Sequence, residues 1–200
     1  MSEVKYPAGV RPIAELPRKN ATKKKRTLKI AAGNRGMDFE AAINDTNLYY
    51  KEKGLALFTK RPTPINVVKV DYSHGATITQ AYYETQSTTD YNGVYQGHYV
   101  DFEAKSVRGK TSFPLSNIPK QQIEHLSFVL SHGGIGFFLI RFETLEKVFL
   151  VPASYVIDFY QKRERASIPL SELEIHGRLV PTAYRPRYDY LPIIDELFLK

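Results

Sequence analysis

"TTDYNGVYQGHYVDFEAK", Thr88 to Lys105, decides how the rest of the chain is read. Two Asp, one Glu and one Lys surround an Asn-Gly pair, and Asn92-Gly93 allows a tight bend between two strands, in a loop too long to fix their register. From Tyr99 to Lys105, side chains alternate across a strand. Val100, Phe102 and Ala104 make an apolar face, and Tyr99, Asp101, Glu103 and Lys105 make the other. Thr88 and Asp90 share one face of the preceding strand. Pairing the two strands brings Asp90 towards Glu103, with Lys105 two residues beyond. Hard oxygen ligands of this kind suit Mg²⁺, with Mn²⁺ as a substitute, rather than Zn²⁺. A divalent ion neutralises a phosphodiester and acidifies water, and a neighbouring lysine stabilises developing negative charge. The pattern is short, however, and on spacing alone reads more readily as a solvated strand face of mixed charge.

Working outward from this hairpin gives an α/β chain. Upstream, "PINVVKVDYSHGATITQAYYETQ" (64–86) reads as two β-rich runs about a Ser-His-Gly turn. A hairpin of that length, at about residues 61–86, is able to project from a body. Before it, "GLALFTK" (54–60) reads as a short strand and Gly36 to about Lys53 as a helix. Downstream, "NIPKQQIEHLSFVLSHGG" (117–134) reads as a helix with Pro119 near its first turn and Gly133-Gly134 as its stop. "IGFFLIRF" (135–142) reads as a buried strand paired with "KVFLVP" (147–152), and helices are expected near 153–163 and 189–198.

The composition bounds the function. Two hundred residues, 42% hydrophobic and 24% charged, suit a single domain with a sizeable core. Cysteine is absent, which excludes disulfides and thiolate metal sites. No apolar run reaches the length of a membrane span and no apolar signal core opens the chain, so no membrane partner and a cytoplasmic, nucleoid-associated location are expected. The net charge of +7 is confined to residues 1–30, where nine Lys or Arg face two Glu; residues 31–200 hold nineteen of each sign. The expected organisation is therefore a basic, disordered arm over 1–30 and one domain over 31–200. Lys23, Lys24, Lys25 and Arg26 of the arm are candidate phosphate contacts, although a solubilising tail has the same composition.

Several motifs fall in one order along the body: "NRGMDFE" (34–40), "KRPTPINVVKV" (60–70), "STTDYNGVYQGHYVDFEAK" (87–105), "KTSFPLSNI" (110–118) and "QIEH" (122–125). Asp90 with Glu103-Ala104-Lys105 matches the PD-(D/E)xK nuclease core. Together the motifs closely resemble the RecU-type Holliday junction resolvases of Gram-positive bacteria, over about residues 31–200. The resemblance implies a restriction-endonuclease-like fold, a mixed central sheet flanked by helices, with the hairpin at 61–86 as a projecting stalk. It implies a homodimer that nicks four-way DNA junctions symmetrically, with Mg²⁺, in recombination and repair. A recombinase or a branch-migration motor is a plausible partner on the same ground. By motif, Thr88, Asp90, Glu103 and Gln122 are the metal positions and Lys105 the transition-state stabiliser. Gln122 reads on sequence alone as a polar surface position. Glu40 is a candidate accessory acid, Arg35 a candidate phosphate contact, Asp101 a neighbouring or surface residue and His125 a structural one. Two other readings fit the same core: a restriction-type endonuclease acting on duplex DNA, and a junction-binding recombination factor without catalysis.

Overall fold

Both faces of the strand segment 100–103 are buried, and the architecture is arranged to cover them. In a computed structural model, residues 26–84, 88–162 and 164–200 are described, with side chains from Asp38 onward. The chain runs α1 (Arg26–Glu52), β1 (Leu57–Lys60), β2 (Ile65–Asp71), β3 (Thr77–Tyr83), β4 (Tyr91–Tyr95), β5 (His98–Val107) and β6 (Ser112–Pro114). It continues through α2 (Lys120–Ser131), β7 (Ile135–Phe142), β8 (Lys147–Pro152), α3 (Ala153–Lys162), β9 (Ser167–Pro169), α4 (Leu170–His176), β10 (Arg178–Leu179) and α5 (Leu191–Phe198). Helix α1 begins at Arg26, ten residues before the expected Gly36. Residues 26–30, expected in the arm, are thus helical; residues 1–25, including Lys23, Lys24 and Lys25, lie outside the described residues.

The central sheet has six strands in the order β1-β4-β5-β7-β8-β10. It is mixed: β5 and β7 are parallel and the other neighbours antiparallel. Parallel neighbours need a crossover, and α2 supplies it, running back across one face. On that face Phe138, Ile140 and Val151 pack with Ile123, Leu126, Val156 and Leu173. On the other, Val100, Phe102, Phe137 and Leu139 pack with Phe39, Ile43 and Tyr50 of α1 and Ile193 and Ile194 of α5. Tyr91, Phe102 and Phe137 stack in a row across three strands, with ring centroids 4.9 and 4.7 Å apart. This is the mixed, helix-flanked sheet expected from the sequence. "IGFFLIRF" forms β7 and "KVFLVP" forms β8, as expected.

The turn of the β4–β5 hairpin is not where Asn92-Gly93 would put it. Those residues lie inside β4, and the chain reverses at Gln96-Gly97, both at positive φ (48° and 82°). Such a two-residue reversal matches the twist of its flanking strands. Gly93 serves a different purpose: a Cβ there would fall 1.9 Å from the Leu57 carbonyl oxygen, so glycine permits β1 to pair with β4.

Strands β2 and β3 form a two-stranded sheet of their own. Seven residues in each give a ribbon about 23 Å long. Its side chains are exposed on both faces, with Val68, Ile78, Tyr72, Tyr82 and Tyr83 among them. At the tip, the Ser73 amide donates to Asp71 Oδ1 (2.9 Å), next to Gly75 at φ 105°.

Gly93→Ala is expected to lower stability by about 1–3 kcal/mol, because the methyl group must displace the Leu57 backbone. Gly97→Asn, at an open position that asparagine accepts, is expected to cost far less. Urea denaturation of the two variants tests this; equal midpoints would show that β1 yields freely.

Candidate active site

Alternation along β5 sends Asp101, Glu103 and Lys105 towards α2, away from the aromatic row. Asp90 stands at the bend that leads into β4, and its main chain meets β5 directly. The Asp90 amide donates to Glu103 Oε2 (2.9 Å), and the Ala104 amide donates to Asp90 Oδ2 (3.4 Å). Lys105 Nζ lies 2.6 Å from Glu103 Oε1. The three motif residues therefore meet, because the reversal at Gln96-Gly97 sets Tyr91 opposite Phe102 and so Asp90 beside Glu103. Glu103 is only 1% exposed. Burial, then the charge of Asp90, pushes its carboxyl up to about 8 against the opposing pull of Lys105. The Tyr91 hydroxyl is also pushed up, first by burial and then by Glu40, Asp90 and Glu103, whose carboxylates all act on it.

Asp101, two residues earlier on the same face, is fully buried yet ends below the ordinary carboxylate range. Burial alone would raise it. Hydrogen bonds from Arg61, Thr89, His125 and Tyr99 outweigh that effect. Arg61 Nη2 donates to Oδ2 (2.8 Å), Tyr99 Oη to Oδ2 (2.8 Å) and His125 Nε2 to Oδ2 (2.9 Å), while Thr89 Oγ1 donates to Oδ1. Asp101 is thus the centre of a buried network rather than a surface group, and His125 is tied to it.

The same network places α2. His125 reaches Asp101, and Gln122 lies one turn earlier on that helix face. Because α2 runs against the direction of β5, a step back from His125 matches a step forward from Asp101, towards Glu103. Gln122 is 3% exposed, not the surface position its sequence context suggests, and its side-chain oxygen has no hydrogen-bond partner among the described residues. Thr88 is half-buried at the start of the bend. Two carboxylates and a neutral amide oxygen are the hard donors available here to a cation. Among the described residues no three His, Cys, Asp or Glu side chains cluster as metal ligands.

Glu40 is held by Lys60 in an ion pair at the end of β1, and its main-chain oxygen accepts from Tyr91 Oη (3.4 Å). Arg35 lies in α1, but its side chain, like that of Arg26, is outside the described residues. Arg61 and Thr89 fall within the motifs at 60–70 and 87–105, but the sequence makes neither a candidate site residue. A lysine-arginine pair at a strand end and a threonine between two motif residues carry no periodic signal. Only the closure of the sheet brings them to Asp101.

The family model described as "Recombination protein U" matches residues 34–196. A Holliday junction resolvase RecU of Geobacillus kaustophilus is 48% identical over 170 residues, covering 82% of this chain and 85% of the relative. Another, from a second Geobacillus species, is 44% identical over 199 residues and covers 97% of both. One from Lactococcus lactis subsp. cremoris is 50% identical over 182 residues, covering 90% of this chain and 85% of that one. The solved structure of Hjc, a Holliday junction resolvase of Archaeoglobus fulgidus, is similar with a TM-score of 0.40 and 13% identity over 72% of this chain and 94% of that one. With a family model spanning most of its length and relatives near half identity across most of theirs, this chain belongs to the RecU (recombination protein U) family.

Proposed function

We propose that this protein is an endonuclease that resolves four-way DNA junctions, nicking them symmetrically as a homodimer with Mg²⁺. The observation that carries the reading is the meeting of Asp90, Glu103 and Lys105 where the bend into β4 crosses β5, with Glu103 buried. Binding alone gives no reason to set two carboxylates, one of them buried, beside one lysine, whereas hydrolysis of a phosphodiester does. The orphaned, buried oxygen of Gln122 fits a cation as well: an unpaired amide oxygen is costly unless something engages it. Asp90, Glu103 and Gln122, with Thr88, would hold the ion, with Mn²⁺ as a substitute. When bound it supplies charge neutralisation at the phosphate and a more acidic water. Lys105 stabilises the negative charge that develops on the phosphate oxygens. The Asp90 main chain, bonded to Glu103, keeps the two carboxylates in register.

The substrate enters the reading through symmetry and shape. A four-way junction is close to two-fold symmetric, so a C2 dimer presents one site to each of two strands of like polarity. The hairpin of β2 and β3, exposed on both faces, would enter the opening where the arms meet and recognise shape rather than base edges. The basic residues 1–30 would add sequence-independent phosphate contacts, with Arg35 close to them in sequence. A recombinase or a branch-migration motor is the partner class that this role would need.

Asp90→Asn and Glu103→Gln are expected to lower nicking of a labelled synthetic junction in Mg²⁺ by more than a hundredfold and to leave junction binding within about threefold. Gel shifts and nick mapping on the same preparations check this. Wild-type nicking in either variant would remove that residue from the site. Nicking of plain duplex as fast as junction would favour a duplex endonuclease instead.

Glu103 gives a test that needs no DNA. Its carboxyl holds a proton up to about pH 8 in the folded chain, against 4.5 ordinarily. Its contribution to stability is therefore full at low pH and is lost as pH rises towards 8. In EDTA, the wild-type Tm is expected to fall between pH 5 and 8 more steeply than that of Glu103→Gln. Mg²⁺ favours the charged form and should raise the wild-type Tm more at pH 8 than at pH 5.5. An equal Mg²⁺ response in the two proteins would place the cation elsewhere.

Replacing residues 65–83 by a short Gly-Ser turn is expected to bring junction and duplex affinities together while leaving the fold intact. Competition with excess linear duplex measures the preference, and circular dichroism and sedimentation report folding and assembly. A folded replacement that still selects junctions would move recognition off the hairpin.

A further inference from the structure

Arg61 follows the last residue of β1 and precedes β2 by four positions, so it stands at the base of the projecting hairpin. Its hydrogen bonds do not stay there. The Arg61 amide donates to the Asp90 carbonyl (2.8 Å). Its Nη1 donates to the Thr89 carbonyl (3.2 Å) and to Thr89 Oγ1 (2.6 Å), and approaches Asp101 Oδ1 (3.4 Å). Its Nη2 donates to Asp101 Oδ2 (2.8 Å) and to Tyr99 Oη (2.9 Å). One side chain and its own amide thus engage two consecutive residues of the bend that carries Asp90, and two residues of β5.

We infer that Arg61 is a positioning residue for the active site: locked by the buried Asp101, it fixes the backbone of residues 88–90 and ties the carboxylate pair to the base of the hairpin. The geometry is specific to a guanidinium. Its donors form a planar fork that spans a carboxylate and a second acceptor together, which a lysine ammonium does not reproduce. The arrangement is also enclosed. The Asp101 side chain is fully buried and that of Arg61 is 19% exposed, so loss of either leaves an uncompensated charge beside the site. His125 extends the same lock to α2, one turn from Gln122. Asp101 therefore joins three elements: the hairpin base, the Asp90 bend and α2. Neither Arg61 nor Asp101 is assigned any contact with the phosphate. Each acts through the residues it holds.

The activity arm of the test rests on the junction-nicking reading; the structural arm does not. Full-length wild type, Arg61→Ala, Arg61→Lys and Asp101→Asn are compared by hydrogen–deuterium exchange and by single-turnover nicking of a synthetic four-way junction at saturating Mg²⁺. In Arg61→Ala, exchange in the peptide covering residues 88–91 is expected to accelerate at least tenfold, with α5 unchanged. Nicking is expected to fall at least tenfold while the junction Kd by gel shift moves less than twofold. Arg61→Lys should recover part of both losses, and Asp101→Asn should reproduce them. A rate loss at constant affinity separates positioning from general destabilisation, which would raise exchange throughout. Wild-type exchange at 88–91 in a folded Arg61→Ala protein would overturn the inference. If Arg61→Ala fails to fold, Arg61→Lys decides, and wild-type exchange and nicking in that variant would overturn it equally. If wild type nicks no junction, the functional reading falls, and the exchange result still decides the lock.

Discussion

Covering both faces of β5 is the constraint from which the site follows. The strand pairs with β4 on one side and β7 on the other, and helices lie above and below. Alternation then leaves no solvated face for its polar residues. Asp101 and Glu103 must be enclosed, and an enclosed carboxylate needs donors, a counter-charge or a proton. The two meet that demand differently. Asp101 collects four donors and stays charged. Glu103 has one amide, one lysine and a neighbouring carboxylate, and its carboxyl is pushed up to about 8. Two acids two residues apart on one strand thus settle on opposite sides of their ordinary range. One is a structural anchor. The other has a standing deficit of positive charge, which supports the cation site proposed above.

Topology supplies the rest. A parallel pair at β5 and β7 demands a crossover, and the crossover helix is the element that carries Gln122 and His125. The close approach of β1 to β4, allowed by Gly93, brings the end of β1 beside the bend at Asp90, and so sets Arg61 where its fork reaches Thr89 and Asp101. The hairpin of β2 and β3 leaves the body at this same point. Its base is therefore one residue's reach from Asp101. No helix among the described residues is long and apolar enough to cross a membrane.

Much of this was legible along the chain, because the signals were local. Alternation in "YVDFEAK" separates core from site, and the continuous apolar run of "IGFFLIRF" marks a strand covered on both sides. Pro119 and Gly133 bracket α2, and the two β-rich runs before Thr88 mark a separate ribbon. The motif order carries the family, and with it Thr88 and Gln122, for which spacing alone has no argument. The Asn92-Gly93 bend was misplaced for a physical reason: glycine serves both a reversal and a close approach of strands, and only the register of β1 on β4 separates the two uses.

By itself the sequence determined the elements and the face that Asp101, Glu103 and Lys105 share. Those depend on periods of two and of about 3.6 residues, which are properties of neighbouring positions. Tertiary structure alone decided that Asp101 is an anchor and not a surface acid, that Gln122 is enclosed, and that Arg61 and Thr89 belong to the site. These partners are separated from Asp101 by up to 40 residues. Which of several equally polar residues is buried, and beside what, depends on how the sheet closes, and no local pattern encodes that.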